Sequence, residues 1–145
     1  MDYISLCLIC KDENSYLPEW LDYHILMGVD RFYIYDNESR VSLRETLKEY
    51  IERGWVVVVD IQGKAMQLYA YDHCLQTFGA QTFWMGFIDT DEFLVPKTAK
   101  DLKDLNSVIM IYLKAELKKY RLQKMLQEDI IMRKKISGKV LKGTP

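Results

Sequence analysis

The amino-acid sequence predicts an α/β fold: a three-layer α/β/α sandwich around a mostly parallel sheet, followed by a C-terminal helical tail. Four apolar runs of strand length, at residues 3–10, 31–35, 55–61 and 84–88, alternate with segments of helical periodicity. Strands joined through helices are usually parallel, with right-handed crossovers. A polar cluster follows each run, at residues 11–14, 36–39, 62–64 and 89–92. Open α/β sheets bind ligands at this carboxyl edge, although polar loops are the ordinary alternative.

The first helix is predicted from about Ser15. Asn14 or Ser15 can cap it, Pro18 is tolerated only in a first turn, and Gly28 ends it. His24 falls on the apolar face of this helix, where no carboxylate lies one turn away. That position favours a packed core histidine over a metal ligand or a catalytic base.

Two further helices follow the second and third strands. Ser42 begins one of them, and Gly54 lies where a left-handed C-cap is expected. The other runs from about Ala65 to Phe78, and Gly79 closes it. The valine-rich run at 55–61 is typical of a strand that is buried on both faces.

Length and composition predict one domain with a sizeable core plus an appendage, because 49% of the 145 residues are hydrophobic. The three cysteines, Cys7, Cys10 and Cys74, are an odd number, which favours reduced, buried thiols over a disulfide framework. Cys7 and Cys10 have the C-x-x-C spacing of redox and zinc sites. The strand-like residues between them favour the structural interpretation.

Charge is unevenly divided along the chain. Residues 1–100 carry 9 lysines and arginines against 16 acidic residues, whereas residues 101–145 carry 11 against 5. We therefore predict an acidic domain at residues 1–104 and a basic helical tail at residues 105–145. A helix over residues 105–126 would place Leu105, Ile109, Leu113 and Leu117 on one stripe. That stripe can pack on the acidic body, pair with a second copy, or lie on an anionic membrane surface.

The stretch 84–96 is the one on which the functional hypothesis depends. Its apolar run ends in Asp89, Asp91 and Glu92, with Thr90 between the two aspartates. If extended geometry persists through Thr90, Asp89 and Asp91 project to one side and can share a hard cation through carboxylate oxygens. A divalent cation or a polyphosphate–metal complex would relieve the repulsion between these charges. The alternative is a solvated acidic turn between two strands.

Several other classes are disfavoured. No G-x-G-x-x-G follows the first strand and no G-x-x-x-x-G-K-[ST] occurs, which argues against a dinucleotide dehydrogenase and a P-loop enzyme. No serine or cysteine lies on a nucleophile elbow. The chain lacks a signal-peptide pattern and any run of the ~20 apolar residues that span a bilayer. We therefore expect a soluble, cytoplasmic chain, with peripheral contact at the inner membrane if the tail binds lipid.

Five motifs resemble those of one enzyme class. They are CLICKDE at 7–13, EWLDYH at 19–24 with GVD at 28–30, YIYDNES at 33–39, Gln67 with AYDHC at 70–74, and FIDTDEF at 87–93. In collinear order over about residues 3–105, they strongly resemble the family-2-like and family-92 glycosyltransferases of GT-A fold. The resemblance implies a Rossmann-like domain that binds a nucleotide-sugar, and a hexosyltransferase-like activity in polysaccharide biosynthesis.

The resemblance also implies roles for particular residues. Asp89 and Asp91 match the D-x-D that holds a Mn²⁺ or Mg²⁺ ion bridging the donor diphosphate. Six residues are assigned to the nucleotide-sugar site: Lys11, Asp12, Glu13, Asp36, Gln67 and Asp72. Asp36 matches the acidic residue that contacts the nucleoside, and many relatives carry asparagine at the position of Asp72. Glu92 either supports the metal site, contacts the sugar, or is simply solvated. No residue is assigned as the catalytic base.

In enzymes of this resemblance, an acceptor-binding half of on the order of a hundred residues follows the D-x-D region. Only about forty residues follow the matched region here. We expect a metal-dependent glycosyltransferase, short or truncated, that transfers a sugar from a nucleotide-diphosphate donor to a glycan or lipid-linked acceptor, with no nucleic-acid partner. The alternative is a non-catalytic module that binds nucleotide-sugar or metal without turnover.

Overall fold

A computed structural model describes residues 1–96, 100–103, 132–136 and 139–142 of the chain. The first four strands are β1 (Asp2–Cys10), β2 (Arg31–Asn37), β3 (Val56–Ile61) and β4 (Thr82–Phe87). The helices between them are α1 (Leu17–Leu26), α2 (Leu43–Thr46), α3 (Lys48–Glu52) and α4 (Gln67–Phe78), and one 3₁₀ turn at Gly79–Gln81 leads into β4. Two later strands are β5 (Met132–Ile136) and β6 (Lys139–Lys142).

The described strands form one sheet in the order β3-β2-β1-β4-β5-β6. Strands β1 to β4 run parallel to one another, whereas β5 pairs with β4 and β6 pairs with β5 in antiparallel fashion. The α/β class and the mostly parallel sheet are therefore confirmed. All four parallel strands end at one edge of the sheet, which is called the carboxyl edge below.

Strands β5 and β6 fall in residues 105–145, which were expected to form a basic helical tail. They were not predicted, because their short basic sequences lack an apolar alternation. The helix expected at residues 105–126 lies outside the described residues. Among the helices of the described ranges, none is both long and apolar enough to cross a bilayer.

Helices cover both faces of the sheet, which confirms the three-layer arrangement. On one face, Leu17 and Trp20 of α1 and Leu43 of α2 pack with buried side chains of the strands. On the other face, Tyr71 and Cys74 of α4 belong to a second buried cluster. Each parallel strand is covered on both sides, which accounts for its apolar composition.

Helix ends follow the predicted chemistry in part. Ser42 Oγ accepts a hydrogen bond from Arg44 N at 3.2 Å, as expected of a cap. Asn14 does not cap α1, since its Nδ2 donates instead to Thr46 Oγ1 at 2.7 Å and to Val41 O at 3.2 Å. The segment predicted as one helix after Ser42 is two short helices that meet at Leu47.

The three thiols are free and buried, as predicted. Cys7 belongs to the buried cluster on the α4 face, and Cys10 belongs to the cluster on the α1 face. Residues three apart in a strand point to opposite faces of the sheet, so these two side chains are separated by the sheet itself. The C-x-x-C spacing is therefore a consequence of core packing.

Candidate functional site

A cavity of about 720 Å³ opens at the carboxyl edge of the sheet. Its walls come from the ends of β1 and β2, from the turn after β4 and from the first residues of α1 and α4. Five of the residues that were predicted to bind donor or metal line it: Lys11, Glu13, Gln67, Asp89 and Asp91. Residues far apart in sequence are thus brought to one place by the parallel strand order.

Hydrogen bonds tie the polar loops of this edge together. Ser39 Oγ accepts from Asp12 N at 2.9 Å, which joins the loops after β1 and β2. Asn37 Nδ2 donates to Gly63 O at 3.2 Å, and Gly63 N donates to Glu38 Oε2 at 3.3 Å, which joins the loops after β2 and β3. Three of the four predicted polar clusters therefore bond directly to one another.

Backbone strain also concentrates at this edge. Asp12, Glu38 and Ala65 have positive φ angles of 57°, 63° and 55°, and no other non-glycine residue of the described ranges has one. Such left-handed conformations cost on the order of 1 kcal/mol or more in residues with a Cβ, and they cluster at functional sites. All three lie in loops that follow a strand, next to the cavity.

The acidic stretch after β4 forms a tight turn. Glu92 N donates to Asp89 O at 3.1 Å, and Asp89 N donates to Glu92 Oε2 at 2.9 Å. The extended geometry that was expected through Thr90 does not persist, so the predicted reason for Asp89 and Asp91 to point the same way is wrong. Both aspartates nevertheless line the cavity, together with Thr90 between them.

Negative charge accumulates around this turn. Burial raises the pKa of Glu92 above its ordinary value, the N–H of Asp89 opposes that rise, and the charges of Asp89 and Asp91 add to it. The charged residues that line the cavity are one lysine, Lys11, and four carboxylates, Glu13, Glu19, Asp89 and Asp91. An anionic ligand therefore meets repulsion here unless a cation accompanies it.

The other three predicted site residues, Asp12, Asp36 and Asp72, are not among the residues that line the cavity. Asp36 is buried and accepts from Ser39 N at 3.0 Å, so it shapes the loop after β2. Asp12 accepts a hydrogen bond from the backbone N–H of Arg40 and forms an ion pair with its guanidinium. Both contacts hold the pKa of Asp12 below its usual range. Asp72 lies exposed on α4. Their roles toward a nucleotide stay predictions.

His24 is a wholly buried histidine, as the sequence predicted. Its Nδ1 lies 2.8 Å from Trp20 O, and its Nε2 accepts from Leu94 N at 3.2 Å. Burial lowers its pKa to about 4, although the bond to the Trp20 carbonyl favours the charged form. The ring therefore anchors the segment that follows the acidic turn.

Several cavity residues were not assigned a role from the sequence: Tyr16, Glu19, Asn37, Met66 and Phe93. Tyr16 looked like an ordinary residue at the start of a helix, and Glu19 and Phe93 entered only as members of the matched motifs. The sequence carried no signal for an aromatic wall: Tyr16 is 62% exposed and Phe93 is 43% exposed, although both are large aromatic residues, and exposure depends on the folded chain.

The sequence is similar to proteins of one glycosyltransferase family. The sequence model of glycosyltransferase family 92 matches residues 3–137. A glycosyltransferase family 92 protein of Ricinus communis is 30% identical over 103 residues, which are 70% of this chain and 18% of that protein. One from Oryza sativa subsp. japonica is 32% identical over 92 residues, covering 63% of this chain and 16% of that protein.

The crystal structure of S. aureus TarS 1-349 superposes with a TM-score of 0.48 and 14% identity, over 63% of this chain and 28% of that chain. The chain spans less than a fifth of the length of the curated relatives that it matches. The family match nevertheless covers nearly the whole sheet, including the acidic turn and the loops of the carboxyl edge. This chain belongs to glycosyltransferase family 92.

Proposed function

We propose that this chain is the donor-binding part of a glycosyltransferase and that its cavity binds a nucleoside diphosphate-sugar. The observation that carries the proposal is the placement of Lys11, Gln67, Asp89 and Asp91 around one cavity at the carboxyl edge. Family membership supports the transferase chemistry. A cavity of about 720 Å³ also lies within the range of roughly 300–1,000 Å³ that is typical of small-molecule sites.

A divalent cation, Mn²⁺ or Mg²⁺, fits this arrangement. Among the described residues, no group of three or more His, Cys, Asp or Glu side chains could hold a metal ion. Mg²⁺ is commonly bound by only one or two carboxylates together with the phosphates of a substrate, which is the set that Asp89 and Asp91 can offer. When bound, the ion would neutralise the charge that grows on the departing diphosphate.

The other wall residues would contact the rest of the donor. Lys11 would pair with phosphate oxygens as the one cation among the charged residues described at the cavity, and the Gln67 side chain would hydrogen-bond the donor from the start of α4. The Gln67 amide is itself oriented, since Nε2 donates to Tyr71 Oη at 3.1 Å. The acceptor would be a glycan or a lipid-linked sugar that approaches the same open edge.

Calorimetric titration of the full chain with UDP and with GDP, each with Mn²⁺ and with chelator, tests the proposal. Asp89→Asn combined with Asp91→Asn should weaken Mn²⁺-dependent binding by at least about a hundredfold, since hydrogen bonds to charged groups contribute about 1.5–3 kcal/mol each and two are lost. The matched control is Glu49→Gln with Glu52→Gln, which removes two exposed carboxylates from α3. An affinity that is unchanged by the chelator, or unchanged by the aspartate substitutions, would contradict the metal assignment.

A further inference from the structure

Phe93 is an exposed aromatic residue that the fold holds in place. It lies directly after the acidic turn, lines the cavity, and is 43% exposed. An exposed phenylalanine in a loop is usually free to change rotamer. Here the residues on both sides of it are anchored, so the position of the ring is determined.

Three side chains of α1 provide the anchors. Trp20 Nε1 donates to Glu92 O at 2.8 Å, on the near side of Phe93. On the far side, Leu94 N donates to His24 Nε2 at 3.2 Å, and Tyr23 Oη donates to Leu94 O at 3.1 Å. The backbone of this short loop is thus bonded to the helix immediately before and immediately after Phe93.

The ring itself is also packed on one side. His24 stacks against it, with ring centroids 5.6 Å apart and planes 14° apart. Tyr23 meets it edge-on, at 5.1 Å and 78°. Because His24 is wholly buried, it lies on the protein side of Phe93, whose ring is only partly covered and lines the cavity.

The cavity that Phe93 lines also has polar side chains in its wall. Tyr16 and Glu19, from the start of α1, line the same cavity. Exposed aromatic rings next to a few polar groups are typical of pockets that bind an amphipathic small molecule. A pyranose is such a molecule, since it has an apolar C–H face and a rim of hydroxyls that a carboxylate can accept from.

We propose that Phe93, together with Tyr16 and Glu19, forms a subsite for a neutral sugar ring. The ring stacks on the exposed face of Phe93, and Glu19 accepts hydrogen bonds from its hydroxyls. Trp20, Tyr23 and His24 are positioning residues, because they fix Phe93 without reaching the ligand. This inference deepens the proposed function, since the subsite would hold the sugar beside the donor diphosphate.

Charge favours a neutral ligand at this wall. Glu13, Glu19, Asp89 and Asp91 line the same cavity as Phe93, and Lys11 is the basic residue among the described charged residues of the cavity. A free phosphate or an acidic sugar would be repelled, whereas a neutral hexose would not. A nucleobase is also neutral and can stack, so it is an outcome that the experiment must separate.

Saturation-transfer NMR on the full chain tests the subsite with methyl glycosides of glucose, galactose and mannose, and with uridine. These probes carry no phosphate and need no metal, so their result is separate from that of the UDP titration. Phe93→Ala should weaken binding of at least one glycoside about tenfold, whereas Phe93→Tyr should retain it. Val95→Ala is the matched control, because Val95 is a 68% exposed residue two positions further on.

Thermal melting of each variant checks that the fold is intact. The proposal is overturned if no glycoside contacts the wild-type chain, or if Phe93→Ala binds the glycosides as well as Val95→Ala does. It is also overturned if uridine alone depends on the Phe93 ring, since the ring would then belong to the nucleoside. Absence of UDP binding alongside a Phe93-dependent glycoside signal would reject the proposed donor site and keep the sugar subsite.

Discussion

At the scale of single residues, both ring nitrogens of His24 are hydrogen-bonded to backbone groups. A carbonyl such as Trp20 O only accepts, and an N–H such as Leu94 N only donates, so the ring is neutral with its proton on Nδ1. Protonation of Nε2 would place two donors against each other at 3.2 Å. The histidine therefore makes the anchor of the acidic turn sensitive to acid.

The stability of the folded chain should fall as the pH drops through the range in which His24 titrates. Its pKa is about 4 when folded, against an ordinary 6.5, so the unfolded chain binds this proton more tightly. The stabilising contribution is complete above pH 6.5 and is lost as the pH falls towards 4. Between about pH 7 and 5 this loss amounts to roughly 2 kcal/mol.

Urea denaturation of the wild-type chain and of His24→Gln at the two pH values measures the effect. The variant has no titrating ring at this position, so its free energy of unfolding should change less between them. The other titrating groups are common to both proteins and cancel in the comparison. An identical pH dependence would show that His24 is not held neutral.

Residue identities at the site could be predicted better than their geometry. Asp89 and Asp91 were expected to lie at a carboxyl edge, and they do line its cavity. The turn that places them could not be predicted, because it depends on Glu92 bonding back to Asp89 and on Trp20, which is 72 positions away. The aromatic wall at Phe93 was missed for the same reason, since its exposure depends on distant residues of α1.

At the scale of elements, β4 carries the acidic turn and packs closely against β1. Gly86 lies opposite Leu6 in the parallel register. A Cβ at Gly86 would come within 2.8 Å of Leu6 Cδ2, and Leu6 is completely buried. The glycine therefore allows the two strands to pack without displacing the core.

Gly86→Ala should destabilise the fold by about 1–3 kcal/mol, because a methyl group is forced into a filled site. Gly79→Ala is the matched control, since its φ of −58° suits alanine and its new Cβ would lie 4.0 Å from Leu75 Cδ2. The control should be neutral or slightly stabilising, by up to about 1 kcal/mol. Melting curves that rank the two variants in the opposite order would contradict the described packing of β4.

The elements themselves were predicted with uneven success. The first four strands were correct because a strand that is buried on both faces leaves a continuous apolar run, as in β2, where residues 32–36 are all buried. The segment after Ser42 was predicted as one helix and is two, α2 and α3, which the periodicity alone does not distinguish. Strands β5 and β6 were missed because they add to the sheet through backbone pairing, which does not depend on an apolar pattern.

At the scale of the whole molecule, parallel topology is what creates the site. Four strands deliver their loops to one edge, and the cavity takes residues from the ends of β1 and β2, from the turn after β4 and from two helices. The opposite, amino edge of the sheet lies about 20 Å away, since a strand of six residues rises about 3.3 Å per residue. A ligand at the carboxyl edge is therefore remote from the amino edge.

Paramagnetic broadening by Mn²⁺ in the presence of UDP, with Mg²⁺ as the diamagnetic reference, locates the proposed metal–diphosphate site. Amide signals at the carboxyl edge should be lost, at Lys11, Asn37, Gln67 and Thr90. Signals at the amino edge should persist, at Asp2, Arg31, Val56 and Thr82. Broadening centred on the amino edge, or broadening that is the same with and without UDP at every position, would contradict a metal–diphosphate site at the carboxyl edge.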